Sequence, residues 1–308
     1  MIVVFGSLNV DLVCRVEAIP KPGETVLAPR YERMPGGKGA NQATAAARAG
    51  AQTLFAGAVG RDSFGEEEAA ILEREGINVS ALARVEEATG CAFITVAADG
   101  ENAITVASGA NRLADAASLA SVWAKAPSAL VLQMELPFEE TLRAAREARD
   151  HGVRVVLNLA PVPVGVDSAS LRALFAASDI LIVNEHELAE SAAILSVSGA
   201  DADSLANALA VEAGITVLAT LGGDGALIAT GQGVSERFRA PRIEPVDTTG
   251  AGDTLCGVLA AGLDAGLSLS DATQRAVAAA SLACLSFGAR SAMPKAEAID
   301  AFLAGGQA

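Results

Sequence analysis

Residues 129–158, ALVLQMELPFEETLRAAREARDHGVRVVLN, decide the fold. Ala129–Gln133 reads as a strand, Glu139–Asp150 as an Ala-rich helix carrying Glu and Arg on one side, and Val153–Leu157 as the next strand. Strand, helix and strand in this rhythm give a parallel sheet with helices on its faces. The rhythm extends both ways. Ile2–Gly6 and Thr53–Ala58 precede this stretch as strands, and Ile180–Val183 and Thr216–Ala219 follow it. Between them, Asn41–Ala49, Gly65–Glu75, Leu113–Lys125, Ser168–Ala176 and Ala202–Ala213 read as helices. The expectation is one doubly wound α/β domain over residues 1–308, with a mainly parallel sheet and helices on both faces.

Two stretches break the rhythm. Cys91–Ala97 and Ala103–Ala107 flank the turn-rich Asp99-Gly100-Glu101-Asn102 and predict a hairpin. With Leu12–Val16 and Thr25–Pro29 they would form a small β-sheet lid, fed from about residues 12–29 and 91–107. A second hairpin, Ala226–Ala229 with Val234–Arg239, would edge the main sheet. Further helices are expected over Ala251–Ala265, stopping at Gly266, and over Asp271–Phe287, capped by Ser270 and stopping at Gly288.

Half of the 308 residues are hydrophobic, which is ample material for one large core. A net charge of −15, with no concentrated basic patch, argues against nucleic acid or an anionic membrane as partner. Cys14, Cys91, Cys256 and Cys284 form no C-x-x-C pair and read as reduced core thiols of a cytoplasmic protein. The run Met1–Gly6 lacks a basic region and is too short for a signal peptide. The longest apolar stretch, Val277–Phe287, falls short of the roughly 20 residues that span a bilayer.

In an open α/β sheet, ligands bind beyond the carboxyl ends of the strands. Asn9 and Asp11 follow the first strand, Glu135 and Asn158 the two strands of residues 129–158, and Asn184 and Thr220 the next two. Polar side chains from five strands therefore meet at one rim. Pro35-Gly36-Gly37-Lys38-Gly39-Ala40-Asn41-Gln42 adds a glycine-rich turn running into a helix, where bare N–H groups, Lys38 and Asn41 can face a ligand. This is not a Walker A loop, because Gly39 stands where Ser or Thr should hold Mg²⁺.

The segment Asp247-Thr248-Thr249-Gly250-Ala251-Gly252-Asp253 is sharper. Gly250, Ala251 and Gly252 leave backbone N–H groups uncovered at a helix start, which makes an anion hole. Asp253, directly after it, is either a first-turn acid that complements the helix dipole or a carboxylate that takes a proton from an attacking hydroxyl. His186-Glu187-Leu188-Ala189-Glu190 has Glu190 where a zincin needs its second His, and His151 is the only other histidine, so zincin and histidine-triad chemistry are excluded. Asn184 and Glu187 form an N-x-x-E pattern suited either to hydrated Mg²⁺ or to capping a helix.

Together these segments resemble the PfkB-type carbohydrate kinases, and among them the ribokinase branch. The likeness covers nearly the whole chain. It is carried by Gly6-Ser7-Leu8-Asn9-Val10-Asp11, Pro35–Ala43, Gly57–Asp62, Gly109-Ala110-Asn111, Gln133-Met134-Glu135, Asn184–Glu187, Asp247–Asp253 and Gly288-Ala289. The resemblance implies an ATP-dependent kinase for ribose, or for another sugar or a nucleoside. It implies Asp253 as catalytic base, Gly250, Ala251 and Gly252 as the γ-phosphate hole, and Asn9, Asp11, Gly37, Lys38, Asn41 and Glu135 as the sugar pocket. Asn184, Thr220, Gly222 and Gly225 would line the nucleotide site, and Glu187 would hold Mg²⁺ through water. Asp247, Thr249, Ala283, Ser286 and Gly288 match the positions of a K⁺ site, and the lid would pair with that of a second subunit in a homodimer. Three places depart from the family pattern: Leu159 replaces a proline, Leu255 replaces a phenylalanine, and in Ser291-Ala292-Met293-Pro294 the serine has moved by one position.

Overall fold

On the first strand, β1 (Ile2–Phe5), Val3 and Phe5 face one way, Ile2 and Val4 the other, and all four are buried. A strand apolar on both faces needs cover on both sides, which in a parallel sheet is supplied by crossover helices. The computed structural model, which describes residues 1–305, has this arrangement. β1 lies between β4 (Thr53–Gly60) and β8 (Ala129–Leu132) and runs parallel to both. β5 (Asn78–Val85) closes one edge. On the other side β9 (Arg154–Asn158), β10 (Ile180–Asn184) and β11 (Thr216–Thr220) continue in parallel, and the hairpin β12 (Ala226–Ala229) and β13 (Ser235–Phe238) completes a nine-stranded sheet.

Alternate residues of these strands feed two separate cores. On one face α3 (Phe138–Asp150), α4 (Ser168–Ala176), α5 (Glu185–Ile194) and α6 (Ala202–Ala213) cover Phe5, Leu132, Leu157 and Val183. On the other, α1 (Lys38–Arg48), α2 (Ser63–Arg74), α7 (Ala251–Asp264), α8 (Leu269–Ala283) and α9 (Ala296–Gly305) cover Val4, Phe55, Val131 and Ile182. Each fully buried Leu, Ile or Phe contributes ~1.5–3 kcal/mol relative to exposure. Leu159 and Leu255, two of the departures from the family pattern, are buried one in each core.

A second sheet of four strands stands apart in the order β3-β2-β6-β7. Its strands are β2 (Asn9–Arg15), β3 (Tyr31–Gly36), β6 (Gly90–Val96) and β7 (Asn102–Ala107), so two distant parts of the chain build the lid. The strand expected over Thr25–Pro29 is a loop, and Tyr31–Gly36 pairs with β2 instead. Pro20, Pro22 and Pro29 deprive the earlier segment of ladder donors, whereas Pro35 is tolerated because β3 is an edge strand.

The helix expected over Leu113–Lys125 is instead a chain of 3₁₀ turns at Gly109–Leu113, Ala116–Leu119 and Trp123–Lys125. Ala114, Ala116, Leu119, Val122 and Trp123 are its buried residues, and Asp115 caps the second turn at Ala117 N. α8 starts earlier and ends earlier than expected. Its cap is Ser268, which accepts from Asp271 N at 3.0 Å, and it stops at Ala283. Among the described residues no helix is long and apolar enough to cross a membrane.

Candidate active site

The start of α1 is pressed against the turn that leaves β1. Gly37 has φ 89° and a Cβ there would lie 2.7 Å from the Asn9 amide nitrogen, so only glycine fits. The close approach lets Ala40 N donate to Ser7 O at 2.9 Å and Lys38 N to Glu135 Oε2 at 3.1 Å. Ser7 Oγ donates to the same Glu135 oxygen at 2.5 Å. The Glu135 carboxylate is thus fixed at the positive end of a helix. Beyond it, Asn9 is buried and its Oδ1 accepts from Asn111 Nδ2 at 2.7 Å.

α1 and α7 cross closely because small residues meet there: a Cβ on Gly257 would lie 2.4 Å from Gln42 O. This contact brings Asn41 and Gln42 onto Asp253. Asp253 is 8% exposed, its Oδ2 accepting from Asn41 Nδ2 at 2.9 Å and its Oδ1 from Gln42 Nε2 at 3.0 Å. Gln42 is held in turn, donating to Asn158 Oδ1 at 3.1 Å and accepting from Gln133 Nε2 at 2.7 Å. A chain of neutral amides therefore sets the orientation of one carboxylate.

Gly250, with φ 77°, turns the chain into α7. Ala251 N donates to Thr248 O at 3.2 Å, while the amides of Gly250, Gly252 and Asp253 have no acceptor among the described residues. The free donors of this helix start are therefore Gly250, Gly252 and Asp253, with Ala251 already engaged. They border a cleft of about 120 Å³ lined also by Lys38, Asn158, Asn184, Glu187 and Thr220. A larger hollow of about 760 Å³ lies under the lid, between Leu12, Cys91 and Phe93 and the Asp62–Phe64 turn, away from these donors.

The charges of the site perturb one another. Burial pushes the Asp11 carboxyl up to about 6; Arg290 opposes the shift, while Glu135, Glu68 and Asp253 reinforce it. No protein group among the described residues donates a hydrogen bond to the Asp11 carboxylate, and Gly36 leaves it room, since a Cβ there would lie 2.1 Å from Asp11 Oδ1. Burial alone would lower the Lys38 pKa, but Asp253, Glu135 and Glu187 outweigh it and raise it, so the ammonium is held in its charged form. Burial raises the Glu187 pKa, against the opposing pull of the Asn184 amide and Lys38.

At the end of β10, Asn184 and Glu187 form a reciprocal capping box: Glu187 N donates to Asn184 Oδ1 at 2.8 Å and Asn184 N to Glu187 Oε2 at 2.9 Å. The capping reading of N-x-x-E is thus realised, and the same two side chains also line the cleft. Thr220 ends β11 beside them, and Gly222 and Gly225 shape the turn from β11 to β12. Asp247 ties its own loop to the end of α8. Its Oδ1 accepts from Thr249 N and Oγ1 at 2.9 and 2.6 Å, and its Oδ2 from Gly288 N at 2.9 Å. Burial would raise the Asp247 pKa, but these bonds outweigh it and hold the carboxyl below its usual range. Ser286 N reaches Ala283 O at 3.4 Å, so the expected cation-site positions share one loop pair. The displaced serine, Ser291, donates to Phe287 O at 2.8 Å beside Gly288.

The model of the pfkB family of carbohydrate kinases matches residues 1–296. The chain belongs to that family. Among curated members of this kinase family, the ribokinase of Haemophilus influenzae is 37% identical over 306 residues, covering 97% of each chain. The ribokinase of Schizosaccharomyces pombe is 35% identical over 315 residues, covering 97% of this chain and 96% of that one. Among solved structures, Thermotoga maritima ribokinase superposes with a TM-score of 0.88 at 33% identity over 99% of both chains. Arabidopsis thaliana ribokinase, complexed with ribose and ATP, gives 0.86 at 30% identity over 98% of both.

Several residues of this kinase site escaped the reading of local motifs. Ser7 holds Glu135, Gln42 holds Asp253 and is itself held by Gln133, and Arg290 with Glu68 is buried behind Asn41. Ser7 and Gln42 lie inside the quoted motifs, so adjacency was an available signal. For Arg290 there was none, because its partners are remote in sequence.

Proposed function

We propose that this chain transfers the γ-phosphoryl group of ATP to the 5-hydroxyl of D-ribose, giving ribose 5-phosphate and ADP. The observation that carries the reading is a buried carboxylate, Asp253, gripped by two amides beside free N–H groups at a helix start. In phosphoryl transfer the protein mainly positions the reactants and stabilises charge. Asp253 accepts the proton of the attacking hydroxyl as the hydroxyl oxygen bonds to the γ-phosphorus and the bond from that phosphorus to the bridging oxygen of ADP breaks, and the free amides receive charge on the phosphoryl oxygens. Asn9, Asp11, Gly37, Lys38, Asn41 and Glu135 hold the sugar. Asn184, Thr220, Gly222 and Gly225 hold the nucleotide.

Among the described residues no group of three or more His, Cys, Asp and Glu could hold a metal ion. Glu187 alone suits Mg²⁺, which keeps most of its waters and takes further oxygens from phosphates. There it would offset phosphate charge. The Asp247 carboxylate and the carbonyl-rich loops at Thr249, Ala283, Ser286 and Gly288 suit a K⁺ ion, which would add positive charge near the anion hole. On the lid, Tyr31 and Phe93 on one face of the sheet and Ile104 and Val106 on the other are 65, 52, 56 and 49% exposed, and exposed apolar side chains of this kind suit the lid of a second copy in a cytoplasmic homodimer. Deoxyribose is the second reading, because the deoxyribokinase of Salmonella typhi is 32% identical over 306 residues.

The test is ADP release with ribose, deoxyribose, fructose and nucleosides, with and without K⁺. Asp253→Asn should lower turnover with ribose by on the order of 10²–10⁴ while ribose binding persists. Undiminished turnover would remove Asp253 from the role of base, and turnover confined to a nucleoside would replace ribose as acceptor.

A further inference from the structure

Arg290 is 3% exposed, and its guanidinium is shared among three acceptors. Nε donates to Asn41 Oδ1 at 2.9 Å, Nη1 to Glu68 Oε2 at 2.8 Å, and Nη2 to the Gly36 carbonyl. The turn that carries it is itself braced: Arg48 Nη1 donates to the carbonyls of Arg290 and Met293 at 2.6 and 2.9 Å, and Arg48 is paired with Glu75. A buried arginine–glutamate pair is often no more stabilising than apolar side chains of the same volume. Its three-way geometry, however, has a consequence that packing alone would not have.

An asparagine amide can turn end for end, exchanging its acceptor oxygen for its donor nitrogen, so its partners decide the orientation. Arg290 has only donors and accordingly fixes Oδ1 of Asn41 toward itself. Nδ2 is then directed at Asp253 Oδ2, 2.9 Å away. With an apolar residue at position 290, Oδ1 loses this donor and the amide is no longer held from its far side, so it can swing about its single hydrogen bond to Asp253. The same guanidinium pins the carbonyl of Gly36, which is next to Gly37 and lies against the Asp11 carboxylate.

The geometry points to Arg290, anchored by Glu68, as a positioning residue that acts through Asn41 to orient Asp253 and through Gly36 to shape the sugar side of the site. This rests on the reading of Asp253 as the base. Arg290→Lys keeps a cation beside Glu68 and so preserves the fold, but an ammonium cannot serve three acceptors as a planar fork. Turnover should fall between about tenfold and 10²-fold, the scale of a misplaced reacting group, with KM for ATP unchanged and the melting temperature near that of the parent.

A double-mutant cycle with Asn41→Ala separates positioning from general loosening. If Arg290 acts through Asn41, Arg290→Lys adds little to the loss already caused by Asn41→Ala. Parental turnover in Arg290→Lys, or losses that simply multiply in the double variant, would overturn the proposal. Asp253→Asn, measured in parallel, tells the two failures apart. Full turnover there defeats the base assignment, whereas an inactive Asp253→Asn with a multiplicative cycle defeats only the role of Arg290.

Discussion

Gly252→Ala should make the protein slightly more stable and far less active. A Cβ built on Gly252 meets no heavy atom within 4 Å, and the residue lies in the first turn of α7. Alanine is favoured over glycine in a helix interior by up to about 1 kcal/mol, and less in a first turn. For a chain of 308 residues even the full amount shifts the melting temperature by only about 1.5 °C. The space the methyl enters is the cleft lined by Lys38, Asn184, Glu187 and Asp253, over the free amides of Gly252 and Asp253. Loss of one such donor to a developing oxyanion costs about 10²–10³ in kcat, or ~2.7–4 kcal/mol of barrier. Stability and activity thus move in opposite directions, which general damage to the fold does not produce. The assay is ADP release at saturating ribose and ATP, beside a thermal melt of the same preparation. A variant that melts at or above the parent and retains its kcat would show that the phosphoryl group does not sit at this helix start.

Asp11→Asn is expected to trade affinity for stability. Its carboxyl is raised from 3.8 to about 6 on folding, so between those values the native state binds more protons than the unfolded one and stability falls as pH rises. The variant escapes that loss: its melting temperature should exceed the parent's at pH 7.5 and show no advantage at pH 3.5, while ribose binding weakens. In the parent, kcat/KM for ribose should decline as pH drops through about 6, where Asp11 stops being a pure acceptor. A flat profile would deny the ionised form a role in the sugar pocket. Glu187→Gln can still accept from Asn184 N, so the capping box and the melting temperature should hold within about 0.5 kcal/mol of stability. The Mg²⁺ concentration needed for half-maximal rate should rise, and an unchanged Mg²⁺ titration would leave Glu187 as a cap alone.

The fold was legible where pattern and length agreed. The apolar strands of the central sheet, buried on both faces, read as short continuous runs, and β4 and β9 lead into helices capped by Asp62 and Asp167. β5 was missed because Asn78-Val79-Ser80-Ala81-Leu82-Ala83-Arg84-Val85 is a half-buried edge strand in which polar residues interrupt the apolar run. The helix expected over Leu113–Lys125 failed for the opposite reason: its composition is helical, but the chain there breaks into short 3₁₀ turns. Tertiary contact chose between two local structures that the composition did not distinguish.

The site divides along the same line. Residues 36–42 and 247–253 are contiguous, and their glycines and caps announce themselves locally. The bonds that join them are not local. Asn41 and Gln42 hold Asp253 at sequence separations of 212 and 211, and Arg290 reaches Asn41 at a separation of 249. This arrangement also explains why amides and not a guanidinium touch the base. A carboxylate has about four lone-pair sites, so one bond from each amide fixes its plane and leaves capacity for a hydroxyl proton. A guanidinium in contact with a carboxylate favours its charged form and so weakens it as a proton acceptor. With Asn41 between them, Arg290 can fix the direction of the base without forming an ion pair with it.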